Sequence, residues 1–401
     1  MNAPAKLAEL ADCGQLATDF AQTRERTVAL VAPLSAEDAC VQSMPDASPA
    51  KWHLAHTTWF FETFILERFE TGFQPHHEAF RVLFNSYYNG VGEKHARAQR
   101  GMITRPSLAD VLAYRAAVDL RITALLENAS PELETLVRLG LQHEQQHQEL
   151  LLTDLKHLLS MNPLSPVYAR DAMLPPVRRA PPGWHRIDAG IVEIGVDDDA
   201  FFFDNERPRH RQFVEGFALA TTLVSNGDYL AFIDAGGYAD AALWLSEGWD
   251  WVCQHAITQP LYWHLAAAGW QEFTLRGLQQ LDLQRPVIHL SYFEADAYAR
   301  WAGARLPTEA QWESAVQSAS PDTFDDLFGA CWQWTSSSYA PYPGFAAADG
   351  ALGEYNGKFM VNQYVLRGGS CVTPEGHARA TYRNFFPATA RWQFSGVRLA
   401  Q

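Results

Sequence analysis

The sequence predicts a two-domain protein in which a bundle of α-helices precedes a mixed α+β domain. Residues from about 5 to 160 are rich in Ala, Leu and Glu, with apolar residues at helical spacing and few helix breakers. Six prolines then fall between 162 and 183, where a helix cannot continue. Beyond them the chain is rich in glycine and aromatic residues, which is typical of an irregular α+β domain with long loops. We expect a helical domain over 1–162, a linker over 163–183 and an α+β domain over 184–401.

Individual elements follow from local pattern. A helix should begin near Pro49, because Ser48 can cap it and proline suits the first turn. Longer helical segments are expected at 108–126 and 133–159. In the second half, short apolar runs predict strands and helical spacing predicts short helices. The strands are expected at 190–195, 213–219 and 364–367, and the helices near 225–235 and 292–302.

Composition excludes several classes of protein. The 401 residues are 47% hydrophobic with a net charge of -15, which disfavours a nucleic-acid-binding surface. No basic segment followed by an apolar core begins the chain, and no apolar run of about 18 residues occurs. Five scattered cysteines without C-x-x-C spacing indicate neither a disulfide framework nor a thiolate zinc site. We expect a cytoplasmic protein that acts on small molecules, without a membrane or nucleic-acid partner.

The motif that points to chemistry is HEQQH at 143–147, which places two imidazoles on one helical face. It matches the H-E-x-x-H signature of zinc peptidases. A metzincin would add Gly and His where this chain has Leu150 and Thr153, and no glutamate between 149 and 193 could complete another peptidase site. A third ligand should therefore come from upstream.

The upstream candidates are His53 and His56, both on the helix expected to begin near Pro49. One of them packed against the 143–147 face would give three neutral imidazoles with other coordination positions open. Open positions are typical of catalytic rather than structural metal sites. A lone helical histidine is more often a satisfied or exposed residue, but two such helices in one domain favour a metal site.

Both halves resemble known families. At His56, His143 and His147 the first half resembles the DinB-like four-helix bundle, in which three histidines bind a metal. The second half resembles the formylglycine-generating-enzyme (sulfatase-modifying factor) domain, a variant of the C-type lectin fold. Its matching segments are RLPTEAQWE at 305–313, WQWT at 332–335, RGGS at 367–370 and GVRL at 396–399. In this order the two halves resemble the EgtB-type sulfoxide synthases of ergothioneine biosynthesis, non-heme iron enzymes that join a thiol sulfur to C2 of the hercynine imidazole using dioxygen.

The resemblance implies a ligand set and a cofactor. His56, the second histidine of WHLAH, would be a ligand together with His143 and His147, and His53 would be structural. The metal would be Fe(II), with dioxygen as co-substrate. Three imidazoles without a carboxylate leave up to three positions for dioxygen, a thiolate and the hercynine ring.

Further residues of the helical half are candidates for the site. At about 100° per residue Gln146 lies beside the two helical histidines and should face the substrate, whereas Glu149 lies off that face and should have a supporting or capping role. Tyr87 and Tyr88 match a tyrosine pair that, in one subgroup of these synthases, supplies a proton or electron; the alternative is packing beside a turn.

Two arginines and a C-terminal aromatic segment could bind substrates. Arg97 and Arg100 could meet a carboxylate of the second substrate by bidentate bonds, or could be surface residues. Hercynine carries a trimethylammonium group, which aromatic faces hold best. The resemblance implies that Asn384 holds the carboxylate side while Phe385 and Phe386 flank the ammonium; the alternative is that the two rings are core.

Departures from the related families narrow the function. Formylglycine-generating enzymes bind copper through two cysteines, whose positions here are filled by Thr373 and Ala378, so sulfatase activation is disfavoured. The unusual Ala330-Cys331 before Trp332 suggests an altered second-substrate pocket, and no chemistry is assigned to Cys331 or Cys371. We expect carbon–sulfur bond formation on hercynine with cysteine or γ-glutamylcysteine. The alternatives are a selenoneine synthase that uses a selenosugar, and a non-catalytic lectin-like module that binds a small cation.

Overall fold

The computed structural model describes residues 3–198, 201–320, 322–347, 353 and 355–401, with side chains from residue 14 onward. It separates the chain into two compact units, Met1–Asn162, and Pro163–Asp349 together with Tyr355–Gln401. The first is helical and the second mixes strands and helices, which confirms the predicted fold class. Within the described residues, no helix is long and apolar enough to cross a membrane.

The proline-rich segment 163–183 forms neither helix nor strand, as its prolines require. It is held to the second unit by backbone hydrogen bonds. The amide of Tyr168 donates to Leu275 O at 3.0 Å, and the amide of Arg178 donates to Gln284 O at 2.9 Å. The segment is therefore extended chain anchored to the second unit.

The first unit is built on four long helices, α1, α2, α5 and α6. The helices are α1 (Ala3–Val31), α2 (Ala50–Phe61), α3 (Glu67–Phe69), α4 (Phe80–Leu83), α5 (Leu108–Leu126) and α6 (Pro131–Ser160). A π-helical turn, Glu62–Leu66, continues α2. Helix α6 packs against α1 and α2, and α2 also packs against α5.

Side chains cap the starts of α5 and α6, but not the start of α2. Ser107 and Asp110 form a capping box on α5, and Ser130 caps α6 with a proline in its first turn. The predicted Ser48 cap of α2 is wrong: Pro49 occupies the cap position without a side-chain bond. The Ser48 hydroxyl instead accepts a hydrogen bond from Arg100 Nη1 at 2.9 Å, so a tertiary contact replaces the local one.

Glu144 of α6 is a completely buried carboxylate that links three helices. It accepts hydrogen bonds from Arg24 Nη1 (2.8 Å) and Thr27 Oγ1 (2.5 Å) on α1 and from Arg115 Nη2 on α5. Burial by itself raises the pKa of this carboxyl, but the guanidinium groups of Arg115 and Arg24 hold it below its ordinary value. Glu144 is thus an ionised, fully paired group.

The second unit contains four small sheets and four α-helices in its described residues. Its strands are β1 (Trp184–Ile187), β2 (Gly190–Ile194), β3 (His210–Val214), β4 (Phe217–Ala220), β5 (Trp263–Ala266), β6 (Gly269–Thr274), β7 (Gly277–Gln280), β8 (Trp332–Ser338), β9 (Tyr364–Arg367), β10 (Asn384–Phe386) and β11 (Ser395–Gly396). Its helices are α7 (Asn226–Asp234), α8 (Ser246–Gln254), α9 (Tyr292–Trp301) and α10 (Glu309–Ser318). The largest sheet has the order β10-β9-β8-β11, with only β8 and β11 parallel, beside the pairs β1-β4 and β2-β3 and the sheet β5-β6-β7.

Most of the predicted elements of this unit are confirmed within a residue or two. The predicted strand over 213–219 is wrong as a single strand, because Glu215 and Gly216 form the break between β3 and β4. An apolar run therefore spans two strands with a connection inside it.

The segment RLPTEAQWE leads into α10 and supplies two buried carboxylates of the second unit, Glu309 and Glu313. Thr308 and Gln311 form its capping box. Glu309 accepts two bonds of 2.9 Å from Arg383 and one of 2.9 Å from Arg367, and Glu313 pairs with Arg367 at 3.0 Å. These sequence motifs therefore hold the fold together by paired charges.

Gly140, inside α6, makes room for a neighbouring ring. A Cβ at this position would lie 2.7 Å from Cε1 of Phe61, a fully buried ring. We expect Gly140→Ala to lower the free energy of unfolding by about 1–3 kcal/mol, although alanine is the better helix former. Urea unfolding measures this change.

Gly14 provides the matched control, because a Cβ there meets nothing within 4 Å. Gly14→Ala in α1 should leave stability unchanged or raise it by up to about 1 kcal/mol. Equal effects of the two substitutions would contradict the packing argument.

Candidate metal site

Three buried histidines converge inside the helical unit. His56 on α2 and His143 and His147 on α6 each offer a ring nitrogen, and these nitrogens lie within 4.8 Å of one another. The four-residue spacing puts His143 and His147 on one face of α6, with ring centroids 4.6 Å apart. His56 reaches them from the facing helix, with centroids at 5.0 and 4.7 Å.

Hydrogen bonds orient two of the three rings. Nδ1 of His56 lies 2.6 Å from the carbonyl oxygen of Phe84 and must donate to it, because a carbonyl only accepts. Nε2 of His56 is then a lone-pair nitrogen, buried and without a hydrogen-bond partner among the described residues. Nδ1 of His147 lies 2.8 Å from Nδ1 of His53, so Nε2 is the nitrogen of His147 that remains for the cluster.

All three imidazoles are held in the neutral form that binds metals. Burial lowers the pKa of His143 to about 3. Burial, reinforced by the neighbouring His143, lowers the pKa of His56 and of His147 well below the ordinary value. An orphaned nitrogen, a neutral donor set and mutual distances below 5 Å fit a divalent metal held by three nitrogens.

Aromatic side chains surround the cluster. Trp52 stacks on His56 with centroids 4.5 Å apart, and Trp59 stacks on it at 5.5 Å. The ring of Phe60 contacts His143 at 4.6 Å. This apolar lining keeps water away from the imidazoles and accounts for their low pKa values.

The tyrosine pair lies close to this lining. The rings of Tyr87 and Tyr88 stack with centroids 4.6 Å apart, and their hydroxyl oxygens are 3.5 Å apart. Tyr88 is fully buried and its ring lies 5.6 Å from Trp59, which itself stacks on His56. One aromatic ring therefore separates Tyr88 from a predicted ligand, and the catalytic role of the pair stays a prediction.

The two candidate arginines occupy different environments. Arg97 is exposed and donates to the carbonyl oxygen of Asp46. Arg100 is buried over Trp52, with its guanidinium carbon 3.5 Å from a ring centroid, and its two Nη atoms donate to Ser48 and Ser86. The geometry argues against a clamp formed by both, and their contact with a substrate stays a prediction.

Gln146 and Glu149, both on the ligand helix α6, differ in how far their side chains are buried. Gln146 is half-buried beside the two histidines of α6, whereas Glu149 is buried. This difference is compatible with a substrate-facing Gln146 and a supporting Glu149. Both roles stay predictions.

The predicted cation-binding residues form strand β10 of the second unit. Phe385 stacks on Tyr339 with centroids 4.1 Å apart, and Phe359 lies 5.8 Å away. The Oδ1 atom of Asn384 accepts a bond from the amide of Phe385. Adjacent side chains of a regular strand point to opposite faces, so Phe385 and Phe386 are expected on opposite faces of β10. Their contact with the ammonium group stays a prediction.

Comparison with protein families accounts for both units. Residues 19–151 match the DinB superfamily, and residues 171–323 and 317–401 match the sulfatase-modifying factor enzyme 1-like domain. The chain is 31% identical to the hercynine oxygenase of Mycobacterium tuberculosis over 96% of this chain and 98% of that protein. The chain belongs to the hercynine oxygenase family.

Two other relatives match almost the whole chain and a part of it, respectively. The hercynine oxygenase of Mycolicibacterium thermoresistibile is 28% identical over 96% of this chain and 94% of that protein. The formylglycine-generating enzyme of Mus musculus is 35% identical, but over only 32% of this chain and 37% of that enzyme. As a family member the chain is an enzyme, which argues against the non-catalytic binding module.

Two alternative chemistries are disfavoured by the geometry. Glu144, which would be the base of an H-E-x-x-H peptidase, is buried in ion pairs with two arginines. Thr373 and Ala378 occupy the positions predicted for copper-binding cysteines and offer no thiolate ligand. Both lie beside Gly369. Cys331 is fully buried, and burial raises the pKa of its thiol, which makes it unreactive.

Sequence reasoning missed Asp154. Its Oδ2 atom lies 3.1 Å from Nε2 of His53 and accepts from the amide of Ser48 at 2.7 Å. A signal existed, because Asp154 follows His147 by seven residues and so shares its helix face.

We expect replacement of His56, His143 or His147 by Ala to abolish most metal binding, because alanine offers no ligand atom. Metal content after Fe(II) loading, measured with the protein still folded by circular dichroism, checks this. His77→Ala is the control, since that ring accepts from the amide of Ala79 and stacks on Phe80. Full metal binding in the His143 or His147 variant would show that the site is elsewhere.

Proposed function

We propose that this enzyme uses Fe(II) and dioxygen to form a bond between C2 of the hercynine imidazole and a sulfur or selenium atom, as in ergothioneine or selenoneine biosynthesis. The observation that carries the proposal is the convergence of three neutral imidazoles, with Nε2 of His56 buried and unpaired, in a chain of the hercynine oxygenase family. Iron bound there would supply the redox chemistry with dioxygen that zinc on the same nitrogens cannot.

The protein's own residues bind, orient and protonate. His56, His143 and His147 hold the metal, and the aromatic lining from Trp52, Trp59 and Phe60 limits water. Gln146, on the accessible side of α6, would contact substrate, and Tyr87 or Tyr88 would deliver a proton to the reacting atoms.

The second unit would bind the trimethylammonium group through aromatic faces near Asn384. Arg97 or Arg100 would meet the carboxylate of the sulfur donor. Arg100 keeps an Nε without a hydrogen-bond partner among the described residues, whereas both its Nη atoms are engaged.

The decisive experiment is anaerobic reconstitution with Fe(II), followed by oxygen, hercynine and separate donors. The panel comprises cysteine, γ-glutamylcysteine and a selenosugar, and mass spectrometry identifies the product. We expect one donor to give a hercynine adduct with iron-dependent oxygen uptake, and zinc-loaded protein to give none. Oxygen uptake without any hercynine adduct would refute the proposal.

Single substitutions can measure how much each of the two rings of β10 contributes to hercynine affinity. We expect Phe385→Ala to weaken hercynine binding by about 1–2 kcal/mol, the scale of a desolvated cation–π contact. Because Phe386 is expected on the other face of the strand, Phe386→Ala should have the smaller effect. Calorimetry with hercynine and with histidine, which lacks the methyl groups, measures both. Unchanged hercynine affinity in a folded double variant would exclude this site.

The tyrosine pair can be tested by removing one oxygen atom. Tyr87→Phe or Tyr88→Phe keeps the ring, so folding and iron binding should persist, while loss of the proton donor should lower adduct formation and raise unproductive oxidation of the thiol. The ratio of the two products is the measurement.

Tyr114→Phe is the matched control, because that hydroxyl bonds to Glu62 and belongs to no proposed site. An unchanged product ratio in both single variants and in the double variant would assign the pair to packing.

A further inference from the structure

Behind the metal site, three buried side chains form a continuous chain of hydrogen bonds. Asp154 Oδ2 lies 3.1 Å from His53 Nε2, and His53 Nδ1 lies 2.8 Å from Nδ1 of the predicted ligand His147. His53 and Asp154 are 2% and 7% exposed. These hydrogen bonds connect the two helices that carry the ligands, because His53 lies on α2 and Asp154 on α6.

The position of each hydrogen follows from the carboxylate end. A carboxylate oxygen accepts hydrogen bonds, so Nε2–H of His53 donates to Oδ2 of Asp154. With one hydrogen on each imidazole, Nδ1 of His53 carries a lone pair and accepts from Nδ1–H of His147. Nε2 of His147 is left as the lone-pair nitrogen, and it is the one that His147 can offer to the cluster with His56 and His143.

We propose that Asp154 and His53 are positioning residues that fix the tautomer and ring orientation of His147 as a metal ligand. The inference rests on the metal site of the proposed function. A carboxylate–histidine pair behind a ligand holds its ring in place and strengthens it as a donor. The opposite tautomer of His147 would carry hydrogen on Nε2 and could not bind a metal through that nitrogen.

Two further contacts support this assignment. The amide of Ser48 donates to the same oxygen of Asp154 at 2.7 Å, which holds the carboxylate in place at the start of α2. A different group orients His56 in the same way. Its Nδ1–H donates to the carbonyl oxygen of Phe84, so Nε2 is the nitrogen that remains for the cluster. Two ligands thus present the same nitrogen through separate fixed acceptors.

The test measures Co(II) binding by titration and by the visible absorption of the bound ion. His53→Phe keeps a ring but removes both nitrogens, and Asp154→Asn removes the charge that fixes the hydrogen on His53. We expect each to weaken Co(II) binding about 10- to 100-fold, the range for partners behind a ligand. His53→Gln should recover part of the loss, because its amide can accept from His147 and donate to Asp154.

The matched control is Glu70→Gln, which alters a carboxylate of the same bundle that bonds to Arg121 and contacts no ligand. Its Co(II) affinity and spectrum should equal those of the unaltered protein. The double variant of His53 and Asp154 should lose little more than the worse single variant, since the two residues act in series.

The outcomes separate this inference from the proposed function. Unchanged Co(II) affinity and spectrum in a folded His53→Phe protein would overturn the positioning role, whatever the product assay shows. Fully additive losses in the double variant would also overturn it. Weakened Co(II) binding in the variants, with no hercynine adduct from the unaltered protein, would uphold the positioning role and refute the proposed reaction. Unaltered protein that binds no Co(II) would refute the site and the positioning role together.

Discussion

The helical unit depends on the pairing of Glu144 with two arginines. A carboxylate this deeply buried is tolerated only with full compensation, and removal of one partner from such a pair costs about 3–5 kcal/mol. Its bonds to Arg24 and Arg115 fix the rotation of α6 against α1 and α5. Because His143 and His147 lie on the same helix, that rotation also decides where their nitrogens point. An error of one residue would turn them by about 100°.

The second unit uses the same arrangement with different residues. Glu309 lies between Arg367 and Arg383, which come from β9 and from the residue just before β10. The side chain of Arg383 also stacks on Tyr342 at 3.9 Å. Glu309 and Arg367, both in segments by which the sequence resembles its family, therefore pair as buried charges, and the bond from Arg383 to Glu309 helps to hold β10 in place.

Periodicity and spacing predicted what depends on local chemistry. The predicted helices, two of the three predicted strands and the shared face of His143 and His147 followed from the sequence, because helical and strand periods are properties of neighbouring residues. The choice of His56 over His53 required the family resemblance, since both lie on α2 and spacing does not distinguish them. The structure distinguishes the two by their hydrogen-bond partners, which are the Phe84 carbonyl for His56 and Asp154 for His53. Two predictions were wrong. The Ser48 hydroxyl accepts from Arg100 instead of capping α2, and the apolar run at 213–219 is interrupted by a connection at Gly216.

Nε2 of His56 bears on the stability of the helical unit. It is buried and has no hydrogen-bond partner among the described residues, and such an atom costs about 1–3 kcal/mol, whereas folded domains have only about 5–15 kcal/mol in total. A ligand that binds only the folded chain offsets such a cost by mass action. A metal at the proposed site would therefore raise the free energy of unfolding in addition to supplying chemistry.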